Sequence, residues 1–155
     1  MSLSKELQIG KAGEHLVCYD LILKGYNAFL SDQGLPFDIV VEKNGVLTKI
    51  QVKTTSKLVN TQKSQNIYRF GTRRGKGQGT RTRKAEVDFF AFVATDISEI
   101  AYLDISQMIA RTGKIKQAID FKSRRIEYKG RSYSNGTIRT PEWGKYFEDF
   151  CNFEL

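Results

Sequence analysis

The sequence predicts an α/β domain, and three observations predict it. Residues 3–26 carry apolar side chains at helical spacing. Residues 37–53 split into two β-branched runs joined by Asn44-Gly45, the strongest local signal for a two-residue hairpin turn. Residues 86–95 form a nearly continuous apolar run, typical of a strand covered on both faces. At 155 residues the chain is long enough for one domain, 1–155, with a real core. It contains no internal repeat and no second domain.

The leading segment reads as a helix capped by Ser4 or Ser2 and stopped by Gly25. On a helical wheel Leu3, Leu7, Gly10, Val17, Cys18, Leu21 and Ile22 share one face, with Glu14 in its middle. A buried carboxylate is expensive unless a cation or strong donors meet it, which makes Glu14 a candidate for chemistry. Ile9, Ala12, Leu16, Tyr19 and Leu23 form a second stripe opposite. A helix apolar on two sides is sandwiched, here between the sheet and another element or another subunit. Gly10 and Gly13 permit a close approach by backbone or nucleic acid. His15 points about 100° away from Glu14 on the wheel and reads as a surface or interface residue. It is the only histidine, which rules out a multi-His metal site and disfavours a His-dependent triad.

Residues 27–30 predict a short strand, and 31–36 a turn-rich connection in which Asp32 competes as an acidic candidate. In the hairpin, a turn at Asn44-Gly45 sets Lys43 against Val46 and Glu42 against Leu47. Counting outward places Asp38 opposite Gln51, with Lys53 two residues on and on the same face. The other face carries Ile39, Val41, Ile50 and Val52, a core-facing set. A carboxylate, an amide and an ammonium thus converge on one patch of sheet, a candidate site for hydrolysing phosphodiesters.

The charge is local. Between positions 55 and 84 lie nine cations (Lys57, Lys63, Arg69, Arg73, Arg74, Lys76, Arg81, Arg83 and Lys84) and no acid, whereas the whole chain carries +8. Everything outside this segment therefore sums to −1. A basic stripe on a neutral body is the electrostatic footprint of nucleic-acid binding. Residues 66–70 read as a strand, 71–79 are glycine-rich, and 80–83 alternate with period 2. A β-ribbon or long loop that tracks phosphates or enters the major groove fits this composition. The glycines match no phosphate-cradling nucleotide motif.

Further on, Asp88 begins the apolar run as another acidic candidate for catalysis, with a strand-edge carboxylate answering Arg83 and Lys84 as the favoured reading. Residues 100–105 predict a strand, 106–110 a helical turn, and 111–125 a basic-leaning linker. A hairpin around Lys129-Gly130 and a turn at Asn135-Gly136 follow. From Pro141 a helix is expected, because Trp143, Tyr146, Phe147 and Phe150 recur at i, i+3, i+4 and i+7. That stripe reads as core or as a contact between subunits. Cys18 and Cys151 match no zinc spacing and read as free thiols of a reduced compartment. With no run of 18 apolar residues and no signal peptide, a cytoplasmic protein that crosses no membrane is expected.

The order Glu14 on a first helix, Asp38 on one strand and Gln51-Val52-Lys53 on the next resembles the PD-(D/E)XK nuclease superfamily. Its signature is Pro-Asp, a spacer, then Asp/Glu-x-Lys; here Pro36-Phe37-Asp38 and Gln51-Val52-Lys53 correspond. One residue separates Pro36 from Asp38, and Gln51 stands at the place of the second carboxylate. With Gly10-Lys11-Ala12-Gly13-Glu14 ahead of it, the pattern looks most like the group I intron-encoded homing endonucleases, over residues 9–55.

The resemblance implies a restriction-endonuclease-like core, a mixed β-sheet flanked by helices, with a basic DNA-binding insertion at about 55–86. It implies Mg²⁺-dependent cleavage of double-stranded DNA, Mn²⁺ substituting, by a homo-oligomer (dimer or tetramer) that leaves 5′-phosphate ends. Asp38 is then the principal metal ligand, with the Val52 carbonyl and the Gln51 oxygen. Glu14 joins from the helix, and Lys53 acts on the attacking water and the phosphoryl charge. With one carboxylate fewer, Mg²⁺ affinity is expected to be weaker. Three alternatives stand beside this: a Holliday-junction-resolving nuclease, a DNA-binding module with a decayed site, and an RNA-binding protein, the last disfavoured by the few aromatic residues in the basic stretch.

Overall fold

The computed structural model describes residues 3–32, 34–59, 66–73, 86–126, 131–132, 138–139 and 145–155. Helix α1 spans Lys5–Leu23, with the Ser4 hydroxyl accepting from the Leu7 N–H at 3.3 Å. It ends where Gly25 takes φ +90° and the Tyr26 N–H returns to the Leu21 carbonyl at 3.0 Å. Its buried face is Gly13, Val17 and Leu21. Of the predicted apolar face, Leu3, Leu7 and Ile22 are instead exposed, as are Tyr19 and Leu23 of the second stripe. Gly13 selects the face: a Cβ there would stand 1.9 Å from Thr54 Oγ1, so only glycine lets the helix axis come this close to the sheet. Gly10 meets no such neighbour.

Strands β1 (Asn27–Leu30), β2 (Ile39–Lys43), β3 (Val46–Thr55), β5 (Phe89–Ala94) and β6 (Glu99–Asp104) form a five-stranded sheet in the order β1-β2-β3-β5-β6. The sheet is mixed: β3 and β5 run parallel, and the other pairs run antiparallel. The β2–β3 turn is the expected one, with Asn44 at φ 52° and Gly45 at φ 80°, the two positive values a type I′ turn needs. Lys43 pairs with Val46 and Glu42 with Leu47 as counted. Glu42 also caps the turn by accepting from the Gly45 N–H at 2.6 Å.

Both faces of the sheet are covered. Even-numbered β3 residues turn Ile50 and Val52 towards α1, where they pack with Val17, Leu21, Ile39 and Val41. On the opposite face Phe90, Phe92 and Leu103 meet a second sheet of β4 (Tyr68–Gly71), β7 (Ala118–Lys122) and β10 (Lys145–Tyr146). The β5 run is accordingly buried from both sides, as its composition required. Residues 105–108 form the expected short helical turn, and the two cysteines are free thiols.

Two expectations are corrected. The 111–125 segment contains strand β7, whose Ile119 and Phe121 point inward. Its apolar–polar alternation was the available signal. The carboxyl-terminal helix is absent from its described part: Lys145–Tyr146 pairs in parallel with Phe121 and Lys122, and Phe147–Asp149 is a 3-10 turn. Phe147 is fully buried, stacked on Phe121 at 5.0 Å between ring centroids, so the aromatic stripe is core. Trp143 and Lys129-Gly130 lie outside the described residues. Strands β8 (Arg131–Ser132) and β9 (Ile138–Arg139) pair antiparallel around the Asn135-Gly136 segment, itself outside them. No helix among the described residues is long and apolar enough to cross a membrane.

Candidate active site

Asp38 stands at the edge where β2 begins, and the counting that set it opposite Gln51 needs one correction. Its N–H donates to the Ile50 carbonyl at 2.9 Å, while its Oδ2 accepts from the Val52 N–H at 2.7 Å. The aspartate thus straddles Gln51, holding the backbone on either side of it. The ladder itself ends at Ile39 opposite Ile50, so β3 runs on beyond the end of β2. The Val52 N–H faces the gap left there. The N–H and C=O of one strand residue point to the same edge, so the Val52 carbonyl faces that gap too.

The α1–Thr54 contact brings Glu14, the residue after Gly13, over the same end of the sheet. Burial pushes its carboxyl above the ordinary glutamate value, and the Asp38 carboxylate pushes it further; Lys11 and His15 draw it down. Asp38 is also raised, by burial, against the pull of the Val52 N–H, Lys53 and Lys11. Two carboxyls in mutual electrostatic reach, both raised above the ordinary carboxylate range by burial, form a site that a cation would relieve. Lys11 faces both acids, which the sequence reading missed. Its place one helical turn before Glu14 was the available signal.

Lys53 projects from β3 and donates from Nζ to the Arg73 carbonyl at 3.0 Å. Gln51 is buried, 7% exposed. Of the competing candidates, Asp32 and His15 are exposed. Asp88 is structural: its Oδ2 accepts from the Lys49 N–H and its own N–H donates to the Lys49 carbonyl, each at 2.8 Å. It thus locks β5 to β3; its expected partners Arg83 and Lys84 lie outside the described residues.

The donors expected from the sequence are all oxygens: two carboxylates, the Val52 carbonyl and the Gln51 amide. No group of three His, Cys, Asp or Glu occurs among the described residues. That excludes a zinc-type cage there but not Mg²⁺, which is commonly held by one or two carboxylates with water filling the remaining positions. The residues fit a hard divalent cation.

Of the nine basic residues singled out, three fall within the described part. Lys57 is exposed. Arg73 is exposed and reaches one amide, Gln117 Oε1, at 3.1 Å. Arg69 is different: it forms a two-pronged pair with Asp120, at 2.8 and 3.1 Å, so its charge is largely answered within the chain. Lys63, Arg74, Lys76, Arg81, Arg83 and Lys84 lie outside the described residues.

A family model described as PD-(D/E)XK endonuclease matches residues 4–135. The fold is similar to that in the solved structure of a bacterial homing endonuclease, I-Ssp6803I, with a TM-score of 0.58 and 18% identity, covering 83% of each chain. No curated protein matches by sequence.

Proposed function

The chain belongs to the PD-(D/E)XK endonuclease family, and on that premise we propose that it is a Mg²⁺-dependent, site-specific DNA endonuclease of the homing type. It would cut double-stranded DNA as a cytoplasmic homo-oligomer. The observation that carries the reading is the Asp38 carboxylate, fastened to the Val52 N–H within electrostatic reach of Glu14 and Lys53.

Asp38 and Glu14 would hold the ion, with the Val52 carbonyl and the Gln51 side-chain oxygen; Mn²⁺ would fit the same oxygens. When bound, the ion supplies Lewis-acid polarisation of the phosphoryl group. The bond from Val52 fixes the orientation of the Asp38 carboxylate. Lys53 orients the attacking water and offsets the negative charge that grows on the phosphoryl oxygens. Glu14 steadies the water on the helix side of the site. The exposed cations Lys57 and Arg73, with the other cations of the basic insertion at about 55–86 apart from the Asp120-paired Arg69, would contact phosphates and position the duplex.

Similarity of fold to a homing endonuclease supports the homing type. Exposed Leu7, Tyr19, Leu23 and Phe29, each more than half accessible in the single chain, support a dimer or tetramer. The test is incubation with linear duplex and with a four-way junction, with Mg²⁺ or with chelator. Cutting of linear duplex in Mg²⁺ alone is the expected result. Preference for the junction would make the chain a junction-resolving nuclease. Binding without cutting in millimolar Mg²⁺ or Mn²⁺ would make it a binding module.

A further inference from the structure

Lys53 is held by backbone that belongs to the start of the basic insertion. Its Nζ donates to the carbonyl of Arg73 at 3.0 Å. The reach of a lysine is long and its four-carbon stem is flexible, so a fixed acceptor decides where the ammonium stands. That acceptor is fixed by its neighbour. Thr72 is 3% exposed, its N–H donates to the Gln117 carbonyl at 3.0 Å, and its hydroxyl donates to the Lys116 carbonyl at 2.5 Å. The Arg73 side chain reaches Gln117 as well, at 3.1 Å. Residues 72–73 are therefore pinned to the loop that leads into β7, and the Arg73 carbonyl is presented to Lys53 from a rigid base.

We propose that Thr72 is a positioning residue for the cleavage reaction: it anchors the Arg73 carbonyl, and that carbonyl sets the ammonium of Lys53 against the scissile phosphate. The proposal rests on the reading of Lys53 as a catalytic group. It also ties the first cation of the 73–84 stretch to the cutting centre through a single peptide, so that a duplex seated on Arg73 bears directly on Lys53.

The test compares Thr72→Val, which keeps the shape and removes the hydroxyl, with Thr72→Ser, which restores it, on duplex DNA in Mg²⁺. Misplacing a reacting group by about 1 Å costs up to about 100-fold in rate. Thr72→Val is expected to lower the single-turnover cleavage rate by at least about 10-fold with DNA affinity within about 2-fold of wild type, and Thr72→Ser to recover most of it. A Thr72→Val protein that cuts at the wild-type rate, or that loses activity only through weaker DNA binding, overturns the proposal. Lys53→Ala separates this from failure of the underlying reading. If Lys53→Ala cuts normally, the site assignment falls and this inference with it; if Lys53→Ala is inactive and Thr72→Val is normal, only the inference falls. Should Thr72→Val melt below the assay temperature, the NMR signal of the Lys53 ammonium in the wild-type protein decides. A resolved, exchange-protected signal supports the bond to Arg73, and a solvent-averaged one overturns it.

Discussion

The carboxylate of Asp38 accepts a 2.7 Å hydrogen bond from the backbone N–H of Val52 on the neighbouring strand. This bond closes the frayed end of the β2–β3 ladder with a side chain instead of a backbone group. It also commits a carboxyl to a half-buried position where ionisation is resisted.

Asp38→Asn keeps an oxygen that can accept from Val52 and removes the charge. In metal-free protein the raised Asp38 and Glu14 favour folding when protonated: their contribution is fully present below the ordinary carboxylate range and is lost as pH rises through the raised folded values. The melting temperature of Asp38→Asn relative to wild type, followed against pH in chelator, is therefore expected to climb as pH rises through that window. The same variant is expected to lose at least about 100-fold in cleavage rate. A flat difference across pH would remove the argument for a strained acid at this position.

Gly13→Ala puts a methyl group where Thr54 Oγ1 already stands, 1.9 Å from the new Cβ. Overpacking of this kind costs about 1–3 kcal/mol, and because the helix must back away it also carries Glu14 out of position. Denaturant melts should register the destabilisation, and cleavage should fall further than stability explains. Adding Thr54→Ala, which removes the two nearer of the three clashing atoms, should recover part of both. Strict additivity of the two changes would show that the two side chains do not meet.

Arg69 and Arg73 lie four residues apart in the same basic stretch and should behave oppositely. Arg69→Ala strands Asp120, 17% exposed at its side chain, and should lower stability by no more than about 1 kcal/mol while leaving DNA affinity nearly unchanged. Arg73→Ala should weaken DNA binding and make the logarithmic salt dependence shallower by about 0.9 for each phosphate that is no longer neutralised. Binding isotherms at several salt concentrations distinguish the two. Equal weakening by both would mean that the Asp120 pair opens on DNA.

Gln51→Glu restores a carboxylate at a position only 7% exposed. It should lower the melting temperature in chelator, since a third acid joins two already resisted ones, and tighten Mg²⁺ binding in titration. Unchanged metal affinity would take Gln51 out of the ligand set.

How legible all this was differed from place to place. The hairpin register could be counted from Asn44-Gly45 because a two-residue turn with both φ values positive leaves no freedom in strand pairing. Counting failed only where the ladder ends and Asp38 shifts its bonds to Ile50 and Val52, a local choice no periodicity encodes. The helix was visible but its inward face was not. The wheel ranks side chains by apolarity, whereas the buried line was chosen by a glycine fitting against Thr54. The carboxyl-terminal aromatics carried true helical spacing, yet Tyr146 enters a strand beside Lys122 and Phe147 fills a gap between Tyr68 and Phe121, tertiary packing overriding a local pattern. The Lys53–Arg73 hydrogen bond joins residues 20 apart in the chain through a long side chain and a backbone carbonyl, neither of which leaves a sequence signature.

The most direct measurement is the single-turnover cleavage rate of duplex DNA in Mg²⁺ for the wild-type protein, Asp38→Asn and Lys53→Ala, each shown by melting to be folded. Scission leaving 5′-phosphate ends by the wild type, absent in chelator and reduced at least about 100-fold in both variants, is the predicted result. Cutting by either variant at the wild-type rate, or no cutting of any duplex by the wild type, would contradict a cutting centre built on Asp38, Glu14 and Lys53.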